Sequence, residues 1–119
     1  MYVKLFDSEL KVMEILWRSG DTPARDIAEE LGKTADWSKT TTYTVIKKCV
    51  NKGAVSRREP NFICHAEISR KEAQEYETGE LIDKMYGGSA DKLVASLLGS
   101  KRLSAEEIQD LKKLVEELK

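Results

Sequence analysis

Apolar positions along this chain follow a helical period, switch once to alternation, and then return to the helical period. Leu10, Val12, Met13, Leu16 and Trp17 fall on one side of a first helix, with Ser8 placed to cap it and Gly20 to stop it. Thr22-Pro23 reads as an N-cap followed by proline at the first helical position. The helix it opens turns Ala24, Ile27, Ala28 and Leu31 inward and is expected to end at Gly32. Trp37-Ser38 leads into a third helix, with Val45, Ile46, Cys49 and Val50 as its apolar stripe and Gly53 as its terminator. Three short helices in succession, the last one basic, form the pattern of helix-turn-helix proteins.

Beyond Gly53 the period becomes two. Residues 54–58 and 62–68 read as strands around a Glu59-Pro60-Asn61 turn, with Phe62, Cys64, Ala66 and Ile68 alternating onto one face. A hairpin directly behind a basic third helix is the layout of a winged helix. From Ser69 onward the helical period resumes. Ser69–Glu72 and Ser104–Glu107 are capping boxes. Between them Ala90, Leu93, Val94, Leu97 and Leu98 line one side of a helix, and Ile108, Leu111, Leu114, Val115 and Leu118 line the last. Gly87-Gly88 and Gly99-Ser100 separate these helices.

So short a helical segment seldom forms a core of its own. Its stripes are expected to meet a second copy through Tyr76, Ile82, Tyr86, Leu93, Val94, Leu97, Ile108, Leu111, Val115 and Leu118. Packing back onto the first domain is the alternative. The expected fold class is mainly α with a small β-hairpin: a winged helix-turn-helix domain over 1–68, followed by a three-helix dimerisation module over 69–119.

Charge sharpens the picture. The 119 residues carry a net charge of −1, which by itself points away from nucleic acid. Its distribution points back: residues 33–58 hold seven cations against the single anion Asp36, a local +6 between acidic flanks. Lys39, Thr40, Thr41, Tyr43, Thr44 and Lys47 occupy the side of the third helix opposite its apolar stripe, beginning at Ser38. Threonine hydroxyls hydrogen-bond phosphates and base edges, and their methyls can touch thymine. A solvated amphipathic helix is the plainer reading of the same face. Arg57, Arg58 and Asn61 fall at or near the wing tip, where such side chains meet phosphate or the minor groove. An ordinary charged hairpin would look the same.

Other chemistries find little support. The chain has one histidine, no phosphate-cradling glycine loop and no nucleophile elbow, so no enzyme is expected. Cys49 and Cys64 lack metal-ligand spacing and read as buried thiols, with no metal and no cofactor expected. No apolar run approaches the roughly 18 residues of a membrane span. The start, Met1–Phe6 followed at once by Asp7 and Glu9, does not read as an export signal, which places the expected chain in the cytoplasm.

Short motifs then align in register. Ser8–Trp17 carries an acidic residue ahead of a V-M-x-x-x-W pattern. Asp36-Trp37-Ser38, Thr41, Thr44 and Asn51-Lys52-Gly53 follow a D-W-S…T…T…x-K-G pattern. Lys84–Gly88 and Leu103–Ile108 match Y-x-G-G and L-S-x-x-E-I stretches. In these the chain resembles the penicillinase-repressor (BlaI/MecI/CopY) family of bacterial transcriptional repressors over nearly its whole length. The resemblance implies a homodimer on a dyad-symmetric operator in double-stranded DNA. In the β-lactam branch it implies release when a membrane-anchored sensor protease triggers cleavage within the dimer module. The matching bond is Ser96-Leu97, where the best-known members carry Asn-Phe, so the same protease specificity does not carry over. The paired C-terminal cysteines of the copper-responsive branch are missing. Thr40 and Tyr43 stand where some members place Lys and Arg, so those members' operator does not carry over either. A winged-helix regulator of other genes, metal- or redox-responsive, and a winged-helix protein-interaction module are the remaining alternatives.

Overall fold

Helix α1 (Asp7–Ser19) begins ahead of the serine expected to cap it. In the computed structural model, which describes residues 4–118, Ser8 lies inside the helix. Met1–Val3, part of the start read as lacking an export signal, and Lys119 lie outside the described residues. The capping role falls to Glu9, whose carboxylate accepts the Phe6 N–H at 2.7 Å and so satisfies a donor that the first turn leaves free.

Thr22-Pro23 also departs from expectation. The two residues form a short strand, β1, and Pro23 is itself the N-cap of α2 (Ala24–Thr34). The Thr22 hydroxyl donates backward to the Gly20 carbonyl at 2.8 Å, which takes it away from the helix start. Nor does Gly32 end α2. The helix runs on to Thr34, and the Leu31 carbonyl accepts from both Ala35 and Trp37 beyond the end. Helix α3 (Lys39–Asn51) is capped as its sequence foretells: Ser38 Oγ accepts the Thr41 N–H at 3.1 Å. Gly53, at φ 83°, supplies the left-handed turn that a side chain would resist and sends the chain into β2 (Val55–Arg58).

The expected hairpin is part of a three-stranded antiparallel sheet. β3 (Ile63–Ala66) lies between β1 and β2, pairing Thr22 with Cys64 on one side and Arg57 with Cys64 on the other. The core joins one side of each element: Val12, Met13, Ile15 and Leu16 from α1, Ala24, Ile27 and Leu31 from α2, Val45, Ile46 and Cys49 from α3, then Val55, Cys64 and Ile68. Three helices and the β2–β3 hairpin behind them, with β1 added to the sheet from between α1 and α2, make a winged helix.

Helices α4 (Arg70–Met85), α5 (Ala90–Gly99) and α6 (Ala105–Glu117) follow. Both expected capping boxes form, Ser69 with Glu72 and Ser104 with Glu107, at 2.9–3.0 Å. The donors at each helix start hold these two glutamates below the usual carboxylate range. The chain divides into two compact units, residues 1–77 and 78–119, and the division falls inside α4. The reason is local. Ala73 joins the first unit's core, Arg70 pairs with Glu14 at 2.8 Å, and Trp17 Nε1 donates to the Ile68 carbonyl at 2.9 Å.

Candidate nucleic-acid interface

Helix α3 divides sharply around its axis. Thr42, Val45, Ile46 and Cys49 are buried, while Lys39, Thr40, Thr41, Thr44 and Lys47 are exposed and Tyr43 is half-buried. Thr42 was not part of the expected stripe, although its spacing to Ile46 and Cys49 puts it there. Lys39, Thr40, Tyr43, Thr44 and Lys47 together line an open concavity on the helix surface. Some hydroxyls are already engaged. Ser38 Oγ donates to Thr41 Oγ1 at 2.9 Å, and Thr44 Oγ1 donates to the Thr40 carbonyl at 2.9 Å. Each threonine oxygen retains acceptor capacity toward an incoming donor.

The hairpin separates the two arginines that the sequence sets side by side. Adjacent strand residues point to opposite faces. Arg57 lies with its guanidinium carbon 3.8 Å from the Phe62 ring centre and pairs with Glu59. Arg58 turns to the other face and pairs with Asp21 at 3.3 Å, and Asp21 also holds His65 Nδ1 at 2.6 Å. Arg57 holds the Glu59 carboxyl below its ordinary range. Asn61 is exposed at the turn, at φ 73°. Phe62, read from alternation only as a core-facing strand residue, meets the Tyr43 ring edge-on at 5.9 Å and thereby joins the wing to α3. That contact leaves no pattern along the chain, because it crosses between two elements.

Two residues of the quoted motifs, Glu9 and Lys52, meet across the domain. Glu9 is 1% exposed, and Lys52, at the C-cap of α3, donates to it at 2.6 Å and to the Lys4 carbonyl at 2.8 Å. This pair, a buried carboxylate with a half-buried ammonium, sets the end of α3 against the start of α1. Cys49 and Cys64 are buried, as expected, and burial pushes their thiols up to about 12 and about 11. Among the described residues no group of three or more His, Cys, Asp or Glu is placed to hold a metal ion, and no helix is long and apolar enough to cross a membrane.

The residues expected at a dimer interface are open in the second unit. Helices α5 and α6 bury none of their residues. Val94, Leu97, Leu111, Val115 and Leu118 are exposed, while Ile82, Tyr86, Leu93 and Ile108 are half-buried. Val94, Leu98, Ile108, Leu111 and Val115 line an apolar groove of about 450 Å³. Tyr76 belongs to the first unit, where it lines a cavity with Leu10 and Trp17. The Ser96-Leu97 bond lies inside α5, and Ser96 Oγ accepts from the Tyr86 hydroxyl at 3.0 Å.

Comparison with known proteins accords with this geometry. A family model described as Penicillinase repressor matches residues 5–117. The penicillinase repressor of Bacillus licheniformis is 28% identical over 118 residues, spanning 98% of this chain and 92% of that protein. The methicillin resistance regulatory protein MecI of Staphylococcus aureus strain N315 is 27% identical over 114 residues, spanning 94% and 93%. Among solved structures, the monomeric form of B. licheniformis BlaI in complex with the blaP half-operator has a TM-score of 0.55 at 26% identity, covering 60% of this chain and 90% of that one. The DNA-binding domain of the repressor BlaI gives 0.53 at 27%, covering 57% and 85%.

Proposed function

This chain belongs to the penicillinase repressor family, and from that premise we propose that it is a cytoplasmic, homodimeric transcriptional repressor. It binds a dyad-symmetric operator in double-stranded DNA and controls resistance genes of the β-lactamase type. The observation that carries this reading is the division of α3, with a buried apolar side and an exposed Thr/Lys side inside the +6 block. That side suits the major groove, where Thr40, Thr41, Tyr43 and Thr44 meet base edges while Ser38, Lys39 and Lys47 meet phosphates. Arg57, Arg58 and Asn61 extend the contact from the wing. The BlaI relative whose structure contains a half-operator supports the same assignment.

Dimerisation falls to residues 78–119, whose stripes lack a buried partner within the unit. A membrane-anchored sensor protease that triggers cleavage at or near Ser96-Leu97 would release repression by removing the dimer. Proteases take extended backbone, so α5 must first open locally. The reading is tested by selecting bound sequences from random DNA duplexes. The recovered motif should contain two half-sites one helical turn or a multiple apart. Inserting about half a turn between them should abolish tight binding. Tight binding that survives the insertion would mean independent monomers or a different mode of recognition.

A further inference from the structure

Phe62 occupies a backbone conformation that its side chain does not favour. It sits at φ 50°, directly after Asn61 at φ 73°, in the left-handed region where phenylalanine is rarely found. Such conformations persist only where surrounding contacts over-determine them, and they concentrate at functional sites. Here the contacts come from four places. The Arg57 guanidinium lies 3.8 Å over the ring, and the Tyr43 ring meets it at 5.9 Å with planes 75° apart. The Phe62 carbonyl accepts the first N–H of α2, from Ala24, at 3.0 Å. Its own N–H donates to Glu59, the carboxylate that also pairs with Arg57.

The ring therefore stands between one side chain of the recognition helix and one cation of the wing. We propose that Phe62 is the positioning residue of the DNA-contacting surface, holding Arg57 in its phosphate-contacting posture while it braces Tyr43 on α3. This rests on the repressor reading above. A free arginine on a short hairpin samples many rotamers, and ordering it on DNA costs side-chain entropy. A guanidinium already stacked on an aromatic face keeps its N–H edge directed outward and has lost that freedom beforehand. Glu59 holds the same edge in the free protein, so a phosphate oxygen replaces a carboxylate oxygen with little change in geometry. Arg58 has no such platform and is held by Asp21 on the opposite face.

The experiment measures binding of the full chain to a mixed-sequence DNA duplex across a salt series, for wild type, Arg57→Ala, Phe62→Leu, Phe62→Tyr and the Arg57→Ala/Phe62→Leu double variant. Arg57→Ala should flatten the salt dependence by about one unit, the loss of one phosphate contact. Phe62→Leu, which keeps apolar bulk without a π face, should weaken binding at every salt concentration while keeping the wild-type slope, and add nothing in the Arg57→Ala background. Phe62→Tyr should match wild type. Wild-type affinity in Phe62→Leu, or full additivity with Arg57→Ala, overturns the inference while leaving the repressor reading intact. Wild type that shows no salt-dependent binding overturns both. Should Phe62→Leu fail to fold, proton NMR of the wild type decides. The Arg57 side-chain protons should be shifted upfield by the Phe62 ring in the free protein and remain so on DNA, and loss of that shift on binding overturns the inference.

Discussion

The Lys52 ammonium donates to the Glu9 carboxylate across 2.6 Å, joining the C-cap of α3 to the first turn of α1. Glu9 is almost wholly buried and also accepts the Phe6 N–H, so both donors satisfy its carboxylate. Removing one member of a buried pair strands the other charge, whereas replacing both with apolar groups is far milder. Lys52→Met should therefore destabilise the winged helix by about 3 kcal/mol, and Lys52→Met/Glu9→Leu by clearly less. Urea unfolding of the single and double variants measures both. A Lys52→Met protein as stable as wild type would mean that water reaches the carboxylate.

The two elements proposed to face DNA should fail differently when altered. Thr41→Ala, Tyr43→Ala and Thr44→Ala should each weaken the specific operator more than random DNA, by about 1–3 kcal/mol for a lost base contact. Arg58→Ala should lower affinity for all sequences alike and flatten the salt dependence by about one unit. Filter-binding titrations on both kinds of duplex separate the outcomes, and equal losses on both for all three helix variants would reverse the assignment.

Neither cysteine should sense redox state. The thiolate is the reactive form, and burial lifts Cys49 to about 12 and Cys64 to about 11 from an ordinary 9.0, with Glu9 adding to the rise at Cys49. A thiol reagent at about pH 8 should label neither residue until denaturant is added. Because the unfolded chain ionises first, this contribution to stability is whole below about pH 9 and is lost as pH rises towards 11–12. Fast labelling of the native protein, with loss of DNA binding, would favour a redox-responsive regulator instead.

Charges in the second unit should separate dimerisation from folding. Leu97 and Leu111 are each 38% exposed within the single chain. Leu97→Glu or Leu111→Glu should leave the winged helix folded but monomeric, because an unpaired charge buried at an interface costs several kcal/mol. Operator affinity should fall steeply, since the second half-site contact forms at high effective concentration only in a linked dimer. Sedimentation equilibrium beside operator titration checks both effects. Variants that remain dimeric and bind as wild type would remove the basis for release by cleavage.

Much of the molecule was legible in one dimension because its signals are local. Ser38 at the start of α3, the Ser69–Glu72 and Ser104–Glu107 boxes and the apolar stripe of α3 each depend on residues within a turn or two of each other. Local geometry makes such spacing readable. The errors arose where distant partners competed for the same groups. Thr22-Pro23 carries a helix-start signature, yet β3 claims it as a strand, and Ser8 yields its capping role to a glutamate that the core also buries.

The sequence by itself determined the order of the six helices and the hairpin, the apolar and polar sides of α3, and the placement of positive charge, since periodicity and composition act along the chain. Only the tertiary structure decided that Arg57 and Arg58 diverge, that Phe62 stands between Arg57 and Tyr43, that Lys52 reaches Glu9, and that the first half of α4 belongs with the winged helix. Strand pleat and core packing set those relationships. They join residues far apart in the chain through side-chain contacts that leave no period in the sequence.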